Sequence, residues 1–342
     1  MSGPAGRRAT VRDVAAETGV SIATVSRVLN NRGHVAPDTR ALVQRAVEQL
    51  GGRAPAPRTA PAGTVDGAVY LRCPYLLTDY FGLIVSSIAE TLELHGLQLM
   101  LSAGEAAQHT AVLPTLVDRP GISGALFVLP PEPSEQLATL RASRFPFVVV
   151  DPRTPLPRDI AAVSAAHFAG ARSLAAHLTG LGHRRIGVIA GPDSWLASDA
   201  RLAGHASALA NVGVLPERGL IRHTEATAQC GYQAACELLD LPDRPTALVG
   251  FNDKVATGAL AAAHQRGLRV PEDLSVTGFD DIDLAQATRP MLTTVRQPLQ
   301  EMGRIAVGLL IRLLERRRLD ALHIELAIEL VVRGSTGPVA DR

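Results

Sequence analysis

Arg27 is the side chain whose placement most narrows the chemistry. It lies in Ser21-Ile-Ala-Thr-Val-Ser-Arg-Val-Leu29, where Val25, Val28 and Leu29 share one helical face with Val20 turned inward before them. The opposite face then shows Ile22, Ala23, Thr24, Ser26 and Arg27. A forked guanidinium there can take guanine bidentately, a contact that discriminates bases by roughly 1–3 kcal/mol. Ile22 and Ala23 can offer only apolar contact, for instance to a thymine methyl. Thr24, Ser26, Asn30 and Arg32 are of the types that hold phosphates and set register. A second set of candidates closes apolar runs further along: Asp151, Asn252 with Asp253, and Asp280. An Asp after a parallel strand serves either as a helix cap or as a ligand contact.

Short helices must position the first set. Thr10 precedes Asp13 at capping-box spacing, and Val11, Val14, Ala15 and Thr18 fall on one face of a first helix. Gly19 ends it cheaply in a left-handed conformation. Ser21 caps a second helix over residues 22–29. A third starts at Pro37 and runs to Leu50, with Leu42, Val43, Ala46, Val47 and Leu50 as its apolar stripe. Two short helices across a tight glycine turn have helix-turn-helix geometry, in which the second helix lies in the major groove. The other reading of this pattern is a small helical packing module.

Charge favours the nucleic-acid reading. Residues 1–60 hold nine arginines against four carboxylates, a net of +5, while the remaining residues hold 25 basic and 29 acidic groups, a net of −4. Such a basic segment is the footprint of a polyanion-binding module. The 342 residues suffice for two or three folding units, and 46% hydrophobic with 20% charged is a globular balance. No apolar run approaches the ~18 residues of a membrane span, and the first eight residues do not resemble a secretory signal, so a cytoplasmic location is expected. Cys73, Cys230 and Cys236 are too sparse for a disulfide framework and lack metal-ligand spacing. No phosphate-binding GxxxxGK[ST], dinucleotide GxGxxG, nucleophile-elbow GxSxG or HExxH motif occurs, so neither enzyme chemistry nor a metal or cofactor is expected.

From residue 65 short apolar runs (65–71, 98–102, 124–129, 147–151, 186–190, 246–251 and 275–279) alternate with helical stretches (81–95, 169–181, 200–212, 231–239 and 254–266). That alternation means βαβ units and parallel sheets, whose ligands bind at the carboxyl ends of the strands.

Residues 11–30, VRDVAAETGVSIATVSRVLN, together with His34-Val35 and Pro37-Asp-Thr-Arg40, resemble the opening signature of the LacI family of transcriptional regulators. Asn252-Asp-Lys-Val-Ala-Thr-Gly-Ala-Leu, Val270-Pro-Glu-Asp-Leu-Ser-Val-Thr-Gly-Phe-Asp-Asp281, Pro290-Met-Leu-Thr-Thr-Val-Arg-Gln-Pro298, Gly182-His183-Arg-Arg-Ile186 and Ala200-Arg201-Leu-Ala-Gly204 are similar to its later landmarks, and residues 330–336 to its last strand. The resemblance spans nearly the whole chain. It implies a small all-α helix-turn-helix domain (1–50), a linker (51–63) and an α/β periplasmic-binding-protein-like domain of two doubly wound lobes (64–338). Lobe 1 would comprise 64–161 and 291–321, lobe 2 162–290 and 322–338, with crossovers near 161, 290 and 322.

By the same resemblance Ile22, Ala23 and Arg27 read the operator, with Ser21, Thr24, Ser26, Asn30, Arg32 and His34 in the DNA contact. A homodimer on a palindromic operator follows, since one head reads few base pairs. A small-molecule effector, a sugar or sugar derivative, would sit between the lobes. Arg201 would clamp its hydroxyl or acid groups and Asp280 would accept hydrogen bonds. Thr78, Tyr80 and Phe81 match a first-lobe loop that touches ligand, though either aromatic could equally be core. Trp195 is either a stacking platform or a surface packing residue. Two departures stand out. Residues 51–63 carry prolines at 55, 57 and 61 where the family folds a hinge helix on DNA, which predicts an extended tether without a leucine wedge. His167 follows Ala166 where the family has Asp-Asn, and is either a replacement ligand contact or a helix-start residue. A ligand sensor with impaired coupling to DNA is the alternative reading.

Overall fold

A computed structural model describes residues 11–21, 24, 25, 28, 36–49, 67–109 and 111–339. The chain divides into two compact units, Met1–Thr64 and Val65–Arg342.

In the first unit helices span Val11–Thr18 and Pro37–Gln49, and Thr24, Val25 and Val28 are helical between them. Val14, Val25, Val28, Val43, Ala46 and Val47 form its core, with Ala15 and Val20 against it. Ser21 caps the intermediate segment: its hydroxyl accepts from the Thr24 N–H at 3.2 Å, and its carbonyl from the Val25 N–H at 2.9 Å. Leu42 departs from the expected stripe and is 40% exposed. The reason is angular: 43, 46 and 47 define the buried face, and 42 lies a hundred degrees off it. Ile22, Ala23, Ser26, Arg27, Asn30, Arg32 and His34, the Thr10 cap, Leu50 and the linker 51–63 lie outside the described residues.

The second unit is built on two parallel sheets. Strands β1 (Ala68–Cys73), β2 (Gln98–Ala103), β3 (Ile122–Val128), β4 (Phe147–Val150) and β5 (Ala161–Ala165) belong to the first lobe. Strands β6 (Ile186–Ala190), β7 (Ile221–His223), β8 (Ala247–Gly250) and β9 (Ser275–Thr277) form the second. Then follow β10 (Thr294–Arg296), β11 (His323–Leu326) and β12 (Glu329–Val331). The sheet orders are β11-β5-β4-β3-β1-β2 and β7-β6-β8-β9, with β10 and β12 pairing antiparallel. β6 is buried at every position, the pattern of a strand covered on both faces.

The lobe boundaries shift from those expected. β5 and β11 pair with each other in the first sheet (Ala162↔His323), so the chain remains in the first lobe to Ala165 and again to Leu326. Residues 293–296 still lie along the second lobe, bridging Thr277↔Thr293 and Asp280↔Arg296, and the helix Leu299–Leu314 then packs into the first-lobe core. Ala161-Ala-Val-Ser-Ala165 has weak intrinsic strand preference, and only its neighbours β4 and β11 make it a strand.

Two helices that carry the site, His167–Gly180 and Leu196–Ala210, approach closely through Gly204, where a Cβ would collide with the Phe168 carbonyl and Ala171. A glycine in a helix interior costs ~1 kcal/mol; here it sets the depth at which Arg201, one turn earlier, enters the space between the lobes.

Candidate functional site

The carboxyl ends of β4, β8 and β9 and the starts of the helices Asp79–Leu94, His167–Gly180 and Leu196–Ala210 converge on one network. Arg201, Asp280, Asp151 and His167 are each no more than 7% exposed. The Tyr80 hydroxyl donates to Asp151 Oδ2 at 2.7 Å, and His167 Nε2 lies 2.9 Å from Asp151 Oδ1. His167 Nδ1 lies 3.3 Å from an Arg201 amino group. Because guanidinium only donates, Nδ1 must accept, so the imidazole proton is on Nε2 and is given to Asp151. Arg201 also donates to the Phe251 carbonyl at 2.5 Å and stands 3.8 Å from Asp280 Oδ1. Its plane lies between two rings, 3.7 Å from the Phe279 centroid and 4.3 Å from that of Phe251. Gln297 donates to Asp280 Oδ1 at 2.7 Å. Both aspartates sit in left-handed backbone, Asp151 at φ 53° and Asp280 at φ 113°, conformations that few side chains tolerate.

Burial sets the titration of these groups. It pushes Asp280 up to about 7 against the opposing pull of Arg201 and Gln297. It would raise Asp151 too, but His167, Tyr80 and Arg201 outweigh it and hold that carboxyl below its ordinary value. It raises the Tyr80 phenol, with the Asp151 charge adding to the effect, and lowers Arg201. His205, one turn beyond Arg201, is pushed down to about 4 by burial and by the Arg201 charge.

An aromatic wall closes the network. Tyr75 stacks on Phe81 (centroids 4.4 Å apart) and meets Trp195 edge-on at 6.2 Å, and Trp195 meets Phe251 edge-on at 5.9 Å. Phe81 and Tyr75 come from the first lobe, Trp195 and Phe251 from the second. The lobes also touch through Lys254, 3.3 Å from both Asp79 Oδ2 and Thr78 Oγ1, and through Arg153, whose guanidinium lies 3.2 Å from Ser194 Oγ and 5.9 Å from the Trp195 ring. The void beneath Arg201 is about 10 Å³ and is lined by second-lobe residues alone. Most polar atoms of the network pair with one another, but Arg201 Nε and Gln297 Oε1 are buried without a hydrogen-bond partner.

Tyr80, Phe81, Asp151, His167, Trp195, Arg201 and Asp280 therefore come together as the sequence suggested. Three others stand apart. Thr78 is exposed and accepts from Lys254. Asn252 uses its side-chain oxygen to cap the helix Asp253–Gln265, accepting from the Val255 N–H at 2.9 Å. Asp253 is fully buried, with one oxygen accepting from the Thr294 hydroxyl at 2.6 Å and the other from the Ile282 N–H at 3.0 Å. Each of its oxygens thus ties Asp253 to a neighbouring segment. Tyr75, Arg153, Lys254 and Gln297 escaped the sequence reading. Tyr75 follows a strand end, which was a usable signal; Gln297 closes the landmark at 290–298, but nothing there marked it as a partner of Asp280.

Comparison with known proteins agrees with this architecture. Residues 10–51 match the family "Bacterial regulatory proteins, lacI family", and residues 175–336 the "Periplasmic binding protein-like domain". The chain is 32% identical over 338 residues to the HTH-type transcriptional regulator DegA of Bacillus subtilis (strain 168), covering 97% of this chain and 99% of DegA. Among solved structures it is similar to the transcriptional regulator CelR–cellobiose complex (TM-score 0.72, 30% identity, 96% of this chain and all of that one). It is also similar to the lac repressor dimer bound to operator and the anti-inducer ONPF (TM-score 0.71, 30% identity, 97% of this chain and all of that one). The chain belongs to the LacI family of bacterial transcriptional regulators. It is a DNA-binding regulator with an effector-binding domain of periplasmic-binding-protein type, and not an enzyme. Among the described residues no helix is long and apolar enough to cross a membrane.

Proposed function

We propose that this protein is a cytoplasmic, homodimeric repressor of a palindromic operator, and that a sugar or sugar-like effector bound between the lobes sets its DNA affinity. Ile22, Ala23 and Arg27 read bases. Ser21, Thr24, Ser26, Asn30, Arg32 and His34 hold the backbone. Arg201 and Asp280 grip the effector, with His167 and Asp151 behind them and Phe81, Tyr75 and Trp195 as the apolar wall. The NH₂ of Asn252, whose oxygen is the helix cap, remains available to the ligand.

The observation that carries the reading is the buried Arg201–Asp280 pair set among Phe251, Phe279 and His167 at the strand ends of the second lobe, joined through His167 to Asp151 at the end of β4 in the first. A donor-only fork opposite a carboxylate suits hydroxyls, which both donate and accept. The CelR structure, in complex with cellobiose, and the lac repressor structure, a dimer on operator, make the same division of labour reasonable here.

The test is selection of bound DNA from a random pool, followed by a sugar panel against the selected duplex. A sugar that changes operator affinity in the wild type and fails in Arg201→Ala supports the reading. A wild type without sequence preference, or a responsive sugar indifferent to Arg201, refutes it.

A further inference from the structure

The amino end of the first sheet is a surface of its own, and its charge runs against the rest of its unit. Residues after 60 are net acidic by four charges. Every pair in the six-stranded sheet is parallel, so the loops that feed β3, β4, β5 and β11 gather on one edge. β1 begins on that edge at Ala68, directly after residues 51–66. The loops bring Arg119, Arg144, Arg158 and the run Arg316-Arg317-Arg318 there, all exposed. Their carboxylates are Asp118, Asp159, Glu315 and Asp320. Three of these are engaged: Asp159 by Arg141 at 3.7 Å, Glu315 by Arg317 at 2.9 Å and Asp320 by Arg312 at 3.0 Å. Arg119, Arg144, Arg158, Arg316 and Arg318 have no carboxylate partner among the described residues.

Backbone geometry gives an independent sign. Arg144 (φ 61°) and Arg316 (φ 55°) occupy the left-handed position just past the helices Ser134–Ala142 and Leu299–Leu314. On the same edge Gly96 (φ 73°) fills the equivalent position past the helix Asp79–Leu94 with the residue that fits it without strain. A side chain there costs about 1 kcal/mol. A cation at a helix carboxyl end offsets part of that cost. The helix dipole does not account for Arg158, which precedes a strand, or for three consecutive arginines; Arg119 lies 5.6 Å from the Tyr70 ring centroid. At ~4.8 Å per strand the edge is about 24 Å wide, and duplex DNA presents a charge every ~1.7 Å along its axis.

We infer that this edge is a second, sequence-independent DNA contact, in which Arg144, Arg158, Arg316 and Arg318 hold phosphates of the same duplex that residues 10–51 read. The inference rests on the DNA-binding reading of those residues. Only residues 52–67 separate them from β1 in the sequence.

The experiment uses the full chain and a duplex obtained by selection. The affinity of wild type and of the triple variant Arg316→Ser/Arg317→Ser/Arg318→Ser is measured from 50 to 300 mM salt, on the selected duplex and on a scrambled one. Each phosphate contact contributes about −0.9 to the log–log salt slope. The expected result is a triple variant whose slope is shallower by about 2 for each bound protomer on both duplexes, with the ratio between them unchanged. Arg144→Ser/Arg158→Ser should lose a similar amount, which guards against a local folding defect in the triple. Arg172→Ser, exposed on the second lobe, should lose nothing. Equal slopes for wild type and both edge variants overturn the inference, as does an equal loss in Arg172→Ser, which would mean net charge alone. A wild type that cannot tell the two duplexes apart would sink the DNA-reading function instead, a distinguishable failure.

Discussion

The two ends of the first sheet use the same residue types to opposite ends. At the carboxyl end, Asp151 is sealed with the second-lobe residues His167, Arg201 and Asp280, each bonded or paired and almost without solvent. At the amino end, Arg144, Arg158, Arg316 and Arg318 stand exposed with no carboxylate partner among the described residues. Dielectric surroundings explain the contrast. A charge out of water must be matched atom by atom, which gives shape-specific recognition and a large cost when the match is broken. A charge in water interacts weakly with any one neighbour but sums over a polyanion. The first environment suits a small ligand of defined shape, the second a uniform backbone.

The comparison can be broken or sharpened in order of expected effect. Arg201→Ala strands Asp280 in a buried site and should cost about 3–5 kcal/mol of unfolding free energy in a urea titration. A loss below ~1 kcal/mol would mean the pair is not structurally matched. Next comes pH. Asp280 has a folded pKa of about 7, above its unfolded value, so the folded state holds the extra proton across that interval. Its stabilising contribution is present below about pH 4 and is lost as pH rises to 7. Relative to wild type, Asp280→Asn should therefore improve by up to about a few kcal/mol as pH rises from 4 to 8, on top of a constant loss from leaving Arg201 without its counter-ion. Asp151 has the opposite sign, being lowered, so Asp151→Asn should lose most at neutral pH and least in acid. Denaturation midpoints for both variants at pH 5, 7 and 8 decide whether the two carboxylates diverge.

Smaller effects follow at the wall and rim. Tyr75→Leu removes the stack on Phe81 and should cost about 1 kcal/mol. Trp195 is the only tryptophan, so the same variant should shift its emission, and an unchanged spectrum would contradict the contact. Lys254→Ala, at the half-exposed rim, should change stability by no more than ~1 kcal/mol while easing lobe opening, read as faster effector association. The triple Arg316–318 variant, the smallest in this respect, should keep its thermal midpoint within about 2 °C of wild type.

Much of the cleft was legible before the fold. Arg201 and Asp280 sit in long ordered motifs, and the runs at 147–150 and 186–190 are continuously apolar because both faces of each strand are covered. The bonds of Asp253 were not legible, because an Asp after a strand looks alike whether it caps, ties or binds. Its two bonds, to Thr294 and the Ile282 N–H, come from segments 41 and 29 residues away.

The amino acids alone determined the helix-turn-helix pattern, the alternation that makes parallel sheets and the local caps at Ser21 and Asn252, because these depend on neighbours within a few residues. Strand order and lobe crossing were decided only in three dimensions. They make Ala161–Ala165 a strand, bring Gln297 to Asp280, lay Tyr75 against Trp195, and gather arginines from 119 to 318 on one edge. Local preference decays within a turn or two of chain, whereas burial and charge are settled by whatever the topology sets alongside.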